Sequence, residues 1–418
     1  MRLIRLVFGL LVFFFSTNAL TINYGELSFE TVGDRTSIPY GVVTELFQDE
    51  QGFIWIGSQR GLVRYDGYEY RIYKHTKESE FEIAGNFIKK VAQCQMGYLW
   101  IGTQNDGLSV FDPISETFVN FSHDPQIKHS LSHDQVNDIL VDRENNKWIA
   151  TPTGLNYLEN GTREFQIYTE GLNSHAVTSL LLDKENRLWV GTKQGLFRFN
   201  KTTQIFEPYQ FRTKDSGELS NLAVSELYQS TDGDIWIGTR DRGLVIVSSQ
   251  NGKITFLDTV QDNIDDNHLS SPWVSSILQV SPNQVWVAMF EGGIDVIEVS
   301  TKTVIERISH DISVPSSLNL NSVSKLMMDH SGLLWIGTWG GGLNKYNTRQ
   351  TAFRSIRYSP TNELGLSHPD VRSILELQDG RWLFGTAENG VDIFDTHFNR
   401  IGSIRHQAND ENSLPLGV

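Results

Sequence analysis

Two of the ten tryptophans in this 418-residue chain stand apart from the others. Eight lie in copies of one short apolar motif, whereas Trp273 and Trp339 do not. Aromatic faces beside amides and charges suit the stacking and orientation of a sugar ring. Residues of that kind sit on neighbouring short turns: Arg60, Asp106, Lys193, Arg240, Asp241, Glu291, Glu388 and Asn389. With Trp273 and Trp339 they form the candidate ligand-binding set, and Gln59, Gln104, Asn105, Gln194 and Arg242 stand beside them. Catalytic chemistry finds no comparable set. The eleven histidines show no metal spacing, there is no H-E-x-x-H, and Cys94 is the only cysteine, so neither a cofactor nor an intrachain disulfide is expected. His133, His175 and His368 fall between repeat units, where they would lie near one face.

The net charge of −15 opposes phosphate backbones and argues against nucleic acid. The start of the chain reads as an export signal, with Arg2 and Arg5, an apolar run from Leu6 to Phe15, and a small-residue cleavage site at Thr17-Asn18-Ala19. That run is too short for a stable span. The expected location is therefore the periplasm, with a mature chain from Leu20 and membrane contact only through segments further downstream.

Tryptophan also sets the period. Ile54-Trp55-Ile56-Gly57-Ser58, Leu99-Trp100-Ile101-Gly102-Thr103, Leu188-Trp189-Val190-Gly191-Thr192, Ile235-Trp236-Ile237-Gly238-Thr239 and Leu334-Trp335-Ile336-Gly337-Thr338 are copies of one segment. Trp148 and Trp286 head weaker copies with Ala150 and Ala288 at the glycine, and an eighth copy, Trp382-Leu383-Phe384-Gly385-Thr386, has its tryptophan shifted by one. The spacing is that of a four-stranded propeller blade. Three residues before each tryptophan position stands Gly or Asn, from Gly52 to Gly380, which tolerates a left-handed backbone. Asp49, Asp142, Asp183 and Asp329 precede four of these corners by three residues, where a carboxylate can cap the turn. A second glycine, Gly61 through Gly390, closes the next hairpin. Leu131, Leu269, Leu318 and Leu366 announce the following unit five residues before Val136, Val274, Val323 and Val371. Fourth strands are expected at Phe118–Phe121 and Phe353–Ile356, and the tryptophans are expected to pack between blades.

The pattern D-x-x-G-x-[LI]-W-[IV]-G-T-x-x-G-L-x-x-[YF] resembles the two-component regulator propeller repeat. The hydrolase boxes of sialidase-type propellers, S-x-D-x-G-x-x-W, differ in register, because here the aspartate stands three residues before the glycine. The expected fold is an all-β propeller of four-stranded antiparallel blades: a seven-bladed ring plus an extra blade, or alternatively one eight-bladed ring. Residues 1–19 form the signal peptide and 20–358 carry copies one to seven. Residues 359–418 hold the eighth copy and the start of a ninth at Ser413–Val418, read as the beginning of a second propeller. Leu27–Val32 matches a lone fourth strand able to close the ring. The resemblance implies a non-enzymatic periplasmic sensor of a transmembrane signalling protein, dimeric at full length, with a histidine kinase or diguanylate cyclase output. A glycan or other small ligand is the expected partner; the alternative is a docking platform without a small ligand.

Overall fold

The computed structural model describes residues 27–33, 41–172, 174–209, 221–259, 267–348, 356, 358, 365–396, 398–408, 410 and 413–414. The export signal, the loop around Gly217, Phe353–Ser355 and the end of the ninth entry lie outside the described residues.

Alternating apolar and polar residues, broken by Gly and Asn corners, give eight four-stranded antiparallel sheets. Blade 1 consists of Val43–Gln48, Ile54–Ser58, Gly61–Tyr65 and Tyr70–Tyr73, strands A to D from the axis outwards. All eight hairpin glycines, among them Gly107 at φ +82° and Gly342 at +79°, are left-handed as expected. At Gly107 an added Cβ would also lie 2.2 Å from the Phe121 carbonyl oxygen. Asn145 and Asn186 are left-handed too, but Asn283 is not. There the strand runs on to Ser281, which pairs directly with Gln284, and the tighter two-residue turn needs no such corner.

Seven blades close a ring; blades 2 to 7 begin with the A strands Ile88–Gln93, Asp138–Val141, Val177–Leu182, Val224–Gln229, Val274–Ser281 and Val323–Met328. Each junction holds one apolar cluster in which the tryptophan of one blade lies against the next blade, and the last such cluster joins Trp335 to Val43, Leu46 and Ile54 of blade 1. The aspartates do more than cap the turn. Asp49 Oδ1 accepts from the Gln51 and Phe53 amides, while its Oδ2 accepts from Trp55 Nε1 at 2.8 Å. Asp142, Asp183 and Asp329 hold Trp148, Trp189 and Trp335 in the same way, and Ser230 holds Trp236. Where Cys94 and Val280 replace the aspartate, the Nε1 atoms of Trp100 and Trp286 have no partner among the described residues.

In five ring blades a glycine two residues after the tryptophan lets neighbouring blades nest closely. A Cβ on Gly102, Gly191 or Gly238 would come within 2.6 Å of a methyl of Val136, Val224 or Val274 on the next blade. At Gly337 the valine so met is Val43, so blade 7 nests on blade 1 as these three blades do on their neighbours. The strand Glu30–Val32 pairs with Leu343–Asn347 and completes blade 7. It takes the place that the sequence reading gave to Phe353–Ile356. Gly342 then donates its amide to the Gly41 carbonyl, the bond that Gly61, Gly107, Gly195, Gly243 and Gly293 make to the entry loop of their own next blade.

The eighth blade, Val371–Glu376, Trp382–Thr386, Val391–Phe394 and Arg400–Ile404, has a small core of Leu366, Phe384 and Phe394. Its first strand is open to solvent, with Ile374 60% exposed. Trp382 turns onto Phe398, with ring centroids 5.2 Å apart. After its last strand, His406 Nδ1 lies 2.7 Å from the Leu414 carbonyl, the same closure that His123 makes on Leu131 and His310 on Leu318. The described part of the ninth entry loop thus repeats the contact made at the earlier ones.

Candidate ligand site at the channel mouth

The A strands surround the ring axis, and in every ring blade except the third they begin with a β-bulge. A bulge turns two successive residues towards one side. Those two positions line the channel in two layers.

The upper layer stitches the blades together. Thr44 Oγ1 donates to the Ile88 carbonyl at 2.6 Å, Asn137 Nδ2 to Val177, Thr178 Oγ1 to Val224, Ser225 Oγ to Val274, and Ser275 Oγ to Val323. Lys89, at the same position of blade 2, reaches Asn137 Oδ1 at 3.1 Å instead. The lower layer is a buried charge belt. Lys90 pairs with Asp138 at 3.2 Å and Glu45 at 3.6 Å, and Lys325 with Glu226 at 3.1 Å and Glu45 at 3.7 Å. Burial lowers both lysine pKa values, but the surrounding carboxylates outweigh it and hold both ammoniums protonated. Burial raises the pKa of Glu45; Lys325 and Lys90 only partly offset this, because Glu226 and Asp138 compete for the same two cations.

These layers form the floor of a cavity of about 430 Å³, within the range of small-ligand sites, that opens at the mouth of the channel. Two positions supply its wall: the residue after the motif threonine, as at Gln104, Lys193, Arg240 and Trp339, and the residue before the first A-strand apolar position, as at Phe87, Gln135 and Trp273. The amide of the first is hydrogen-bonded to the carbonyl of the second, as in Gln104 to Phe87, Arg240 to Ala223, Phe290 to Trp273 and Trp339 to Ser322. Lys193 of blade 4 and Arg240 of blade 5 line one side, with Trp273 of blade 6 and Trp339 of blade 7 beside them. The Arg240 guanidinium lies 5.4 Å from the centre of the Trp273 ring, which also packs on Phe290 at 4.6 Å. Trp339 faces Phe87 at 6.4 Å. Lys89 rises into the same space; burial, with Arg240 and Lys193 close by, lowers its pKa to about 8 although Asp138 pulls it the other way.

The structure thus brings together Lys193, Arg240, Trp273 and Trp339 from the candidate set. Arg60, Asp106, Asp241 and Glu291 sit on the expected turns but do not line the mouth, because only the first residue after the threonine turns towards the axis. Glu388 and Asn389 belong to the eighth blade, away from the ring, where Asn389 Nδ2 donates to the Ser367 carbonyl. Gln104, named beside the candidate set, also lines the mouth, whereas sequence reasoning missed Lys89, Phe87 and the whole charge belt. The signal was the small polar residue after each A-strand valine, as in Val177-Thr178 or Val274-Ser275. His133 and His368 accept the amides of Gln135 and Asp370 and do not converge. Among the described residues no group of three His, Cys, Asp or Glu could hold a metal ion.

The family model described as two component regulator propeller matches residues 37–60, 171–194, 218–241 and 317–340. The chain carries the two-component regulator propeller repeat. A histidine kinase of Formosa agariphila is 24% identical over 44% of this chain and 16% of that protein. Among solved structures, an extracellular domain ascribed to a hybrid two-component system of B. thetaiotaomicron superposes with a TM-score of 0.76 at 24% identity, covering 92% of this chain and 50% of that one. A second such domain from the same organism gives 0.62 at 22%, covering 92% and 48%. The propeller fold is thus shared, and this chain spans half the length, or less, of each of these relatives.

Proposed function

We propose that this propeller is the ligand-sensing part, on the periplasmic side, of a bacterial transmembrane signalling protein, and that its ligand is an oligosaccharide bound at the channel mouth. The observation that carries the reading is the mouth itself: two tryptophan faces and polar side chains converging on one concavity of a rigid closed ring. The likeness to extracellular domains of two-component systems supports the sensing role, and the basic and apolar start of the chain supports export. The site residues bind and orient; no catalytic step is assigned to them. In the full-length protein, dimeric in this reading, occupancy would be passed to a kinase or cyclase output.

Thermal-shift measurement of the chain against an oligosaccharide panel tests this. A ligand at about 100 times its Kd adds roughly 2.7 kcal/mol to the stability. Trp273→Ala, at the mouth but outside the blade cores, is expected to abolish the shift while leaving the unliganded melting temperature nearly unchanged. An undiminished shift in that variant would move the ligand elsewhere.

A further inference from the structure

The mouth is charged in a way that a neutral sugar does not require. Lys193 and Arg240 come from adjacent blades and Lys89 from across the opening, one layer deeper. Among the described residues neither Lys193 nor Arg240 has a carboxylate partner, although the chain as a whole carries a charge of −15. The carboxylates that do line the cavity, Glu45, Asp138 and Glu226, lie in the belt below and are already engaged by Lys90 and Lys325. The belt's three carboxylates outnumber its two lysines by one, so they offset the three cations above only in part, and the lining as a whole stays cationic. Lys193 and Arg240 both repel Lys89, Asp138 offsets this only in part, and a bound anion relieves the repulsion. Trp273 lies directly beside Arg240, so an anion held by Arg240 would bring its ring alongside Trp273.

We infer that the mouth takes an anionic saccharide, its carboxylate or sulfate between Lys193, Arg240 and Lys89 and its sugar ring against Trp273 and Trp339. This rests on the oligosaccharide reading above and narrows it to one charge class. Carboxylated and sulfated sugars share the chemistry recognised here. A guanidinium grips either anion through paired N–H donors, while an ammonium adds a point charge.

Calorimetric titration of the whole chain decides the matter, with trigalacturonate, a sulfated galactose disaccharide, neutral galactotriose and inorganic sulfate as probes. Binding of either acidic saccharide at least tenfold more tightly than galactotriose supports the inference, and the tighter of the two identifies the anion. The double variant K193Q/R240Q is expected to weaken that binding about tenfold or more. Arg60→Gln, which removes a cation of the same face but outside the mouth, is expected to leave it unchanged. Circular dichroism melting of each variant checks that the ring is intact. If galactotriose binds equally well and K193Q/R240Q has no effect while Trp273→Ala does, the charge class is wrong and the sugar site stands. If inorganic sulfate binds as tightly as the saccharides and Trp273→Ala changes nothing, the mouth is a plain anion site and both readings fall. Absence of binding by every saccharide at millimolar concentration also overturns both.

Discussion

A methyl group added to Gly337 would press on the closing junction of the ring. The new Cβ would lie 2.5 Å from Val43 Cγ1 and 3.0 Å from Val43 Cβ, so blade 1 must move or the valine must rotate. Overpacking of this kind costs about 1–3 kcal/mol. Ala150 and Ala288 occupy the same position at two other junctions, so the chain can accommodate a methyl there and the cost stays moderate rather than prohibitive. Val43→Ala alone removes two buried methyl groups and leaves a cavity, at about 2–3 kcal/mol. In the double variant the added methyl occupies part of the vacated space. Gly337→Ala with Val43→Ala is therefore expected to cost about 1–2 kcal/mol less than the sum of the single changes. Scanning calorimetry reads this as a melting temperature a few degrees above the additive value, at about 2 °C per kcal/mol for a ring of this size. Gly385→Ala supplies the control. Its Cβ would meet Ser373 Oγ, a hydroxyl of its own blade that can rotate away, and no valine of a following blade. Strict additivity of the two ring substitutions, or an equal loss at Gly385, would refute the nesting of blades through glycine and valine.

Three further outcomes follow from other parts of the molecule. Glu306 Oε2 is buried without a partner among the described residues, and burial raises the carboxyl pKa from 4.5 to about 8. A raised acid favours folding while it is protonated, so its contribution is complete below pH 4.5 and fades as pH rises through 8. Glu306→Gln is expected to match the parent at pH 4 and to melt higher at pH 9, by about 1–2 kcal/mol once the partial exposure of the group is allowed for; equal gains at both pH values would contradict the burial argument. Cys94→Asp restores the missing acceptor of Trp100 Nε1 close to the Lys147 ammonium, and is expected to raise stability by about 1 kcal/mol in denaturant titration. Hydrogen exchange is expected to be fast across residues 371–404, whose first strand is open to solvent, and slow in the A and B strands of the ring; uniform protection would show that the eighth blade is covered.

The repeat was legible because its most demanding positions tolerate few residue types. A left-handed corner admits Gly or Asn, and the tryptophan that fills a blade junction has no equivalent of similar size, so both recur in register. The lone strand near Phe29 was legible for the same reason, since it copies a D strand. Much of the binding site was not. The bulge after Val43, Ile88 or Val224 breaks the alternation by which inward-facing residues are recognised, so Thr44-Glu45 and Lys89-Lys90 do not show as channel-lining pairs in a pattern of period two. The turns misled in the opposite sense. Arg60, Asp241 and Glu291 stand one residue further from the strand than Lys193 and Arg240, and Asp106 two, and that much turn rotates a side chain from the axis to the rim. The Asp183–Trp189 bond joins two positions that the motif already displayed; only the three-dimensional hairpin shows that one carboxylate serves both the turn and the indole.

The closing strand gives the ring a seam. Glu30 pairs with Lys345, so the two ends of the ring meet across nearly its whole length, and bringing them together costs about 5 kcal/mol of chain entropy. Three paired residues, with Phe29 and Val32 buried beside them, and the nesting of Val43 on Gly337 must repay it. During synthesis no ring exists until Leu343–Asn347 has been made, and the six earlier blades wait as an open arc. The finished ring opens most easily at the same place. An open arc presents the bare edge of Leu343–Asn347, which its own closing strand or the closing strand of a second molecule fits equally well. Protein concentration then decides between a ring closed on itself and a strand-exchanged pair.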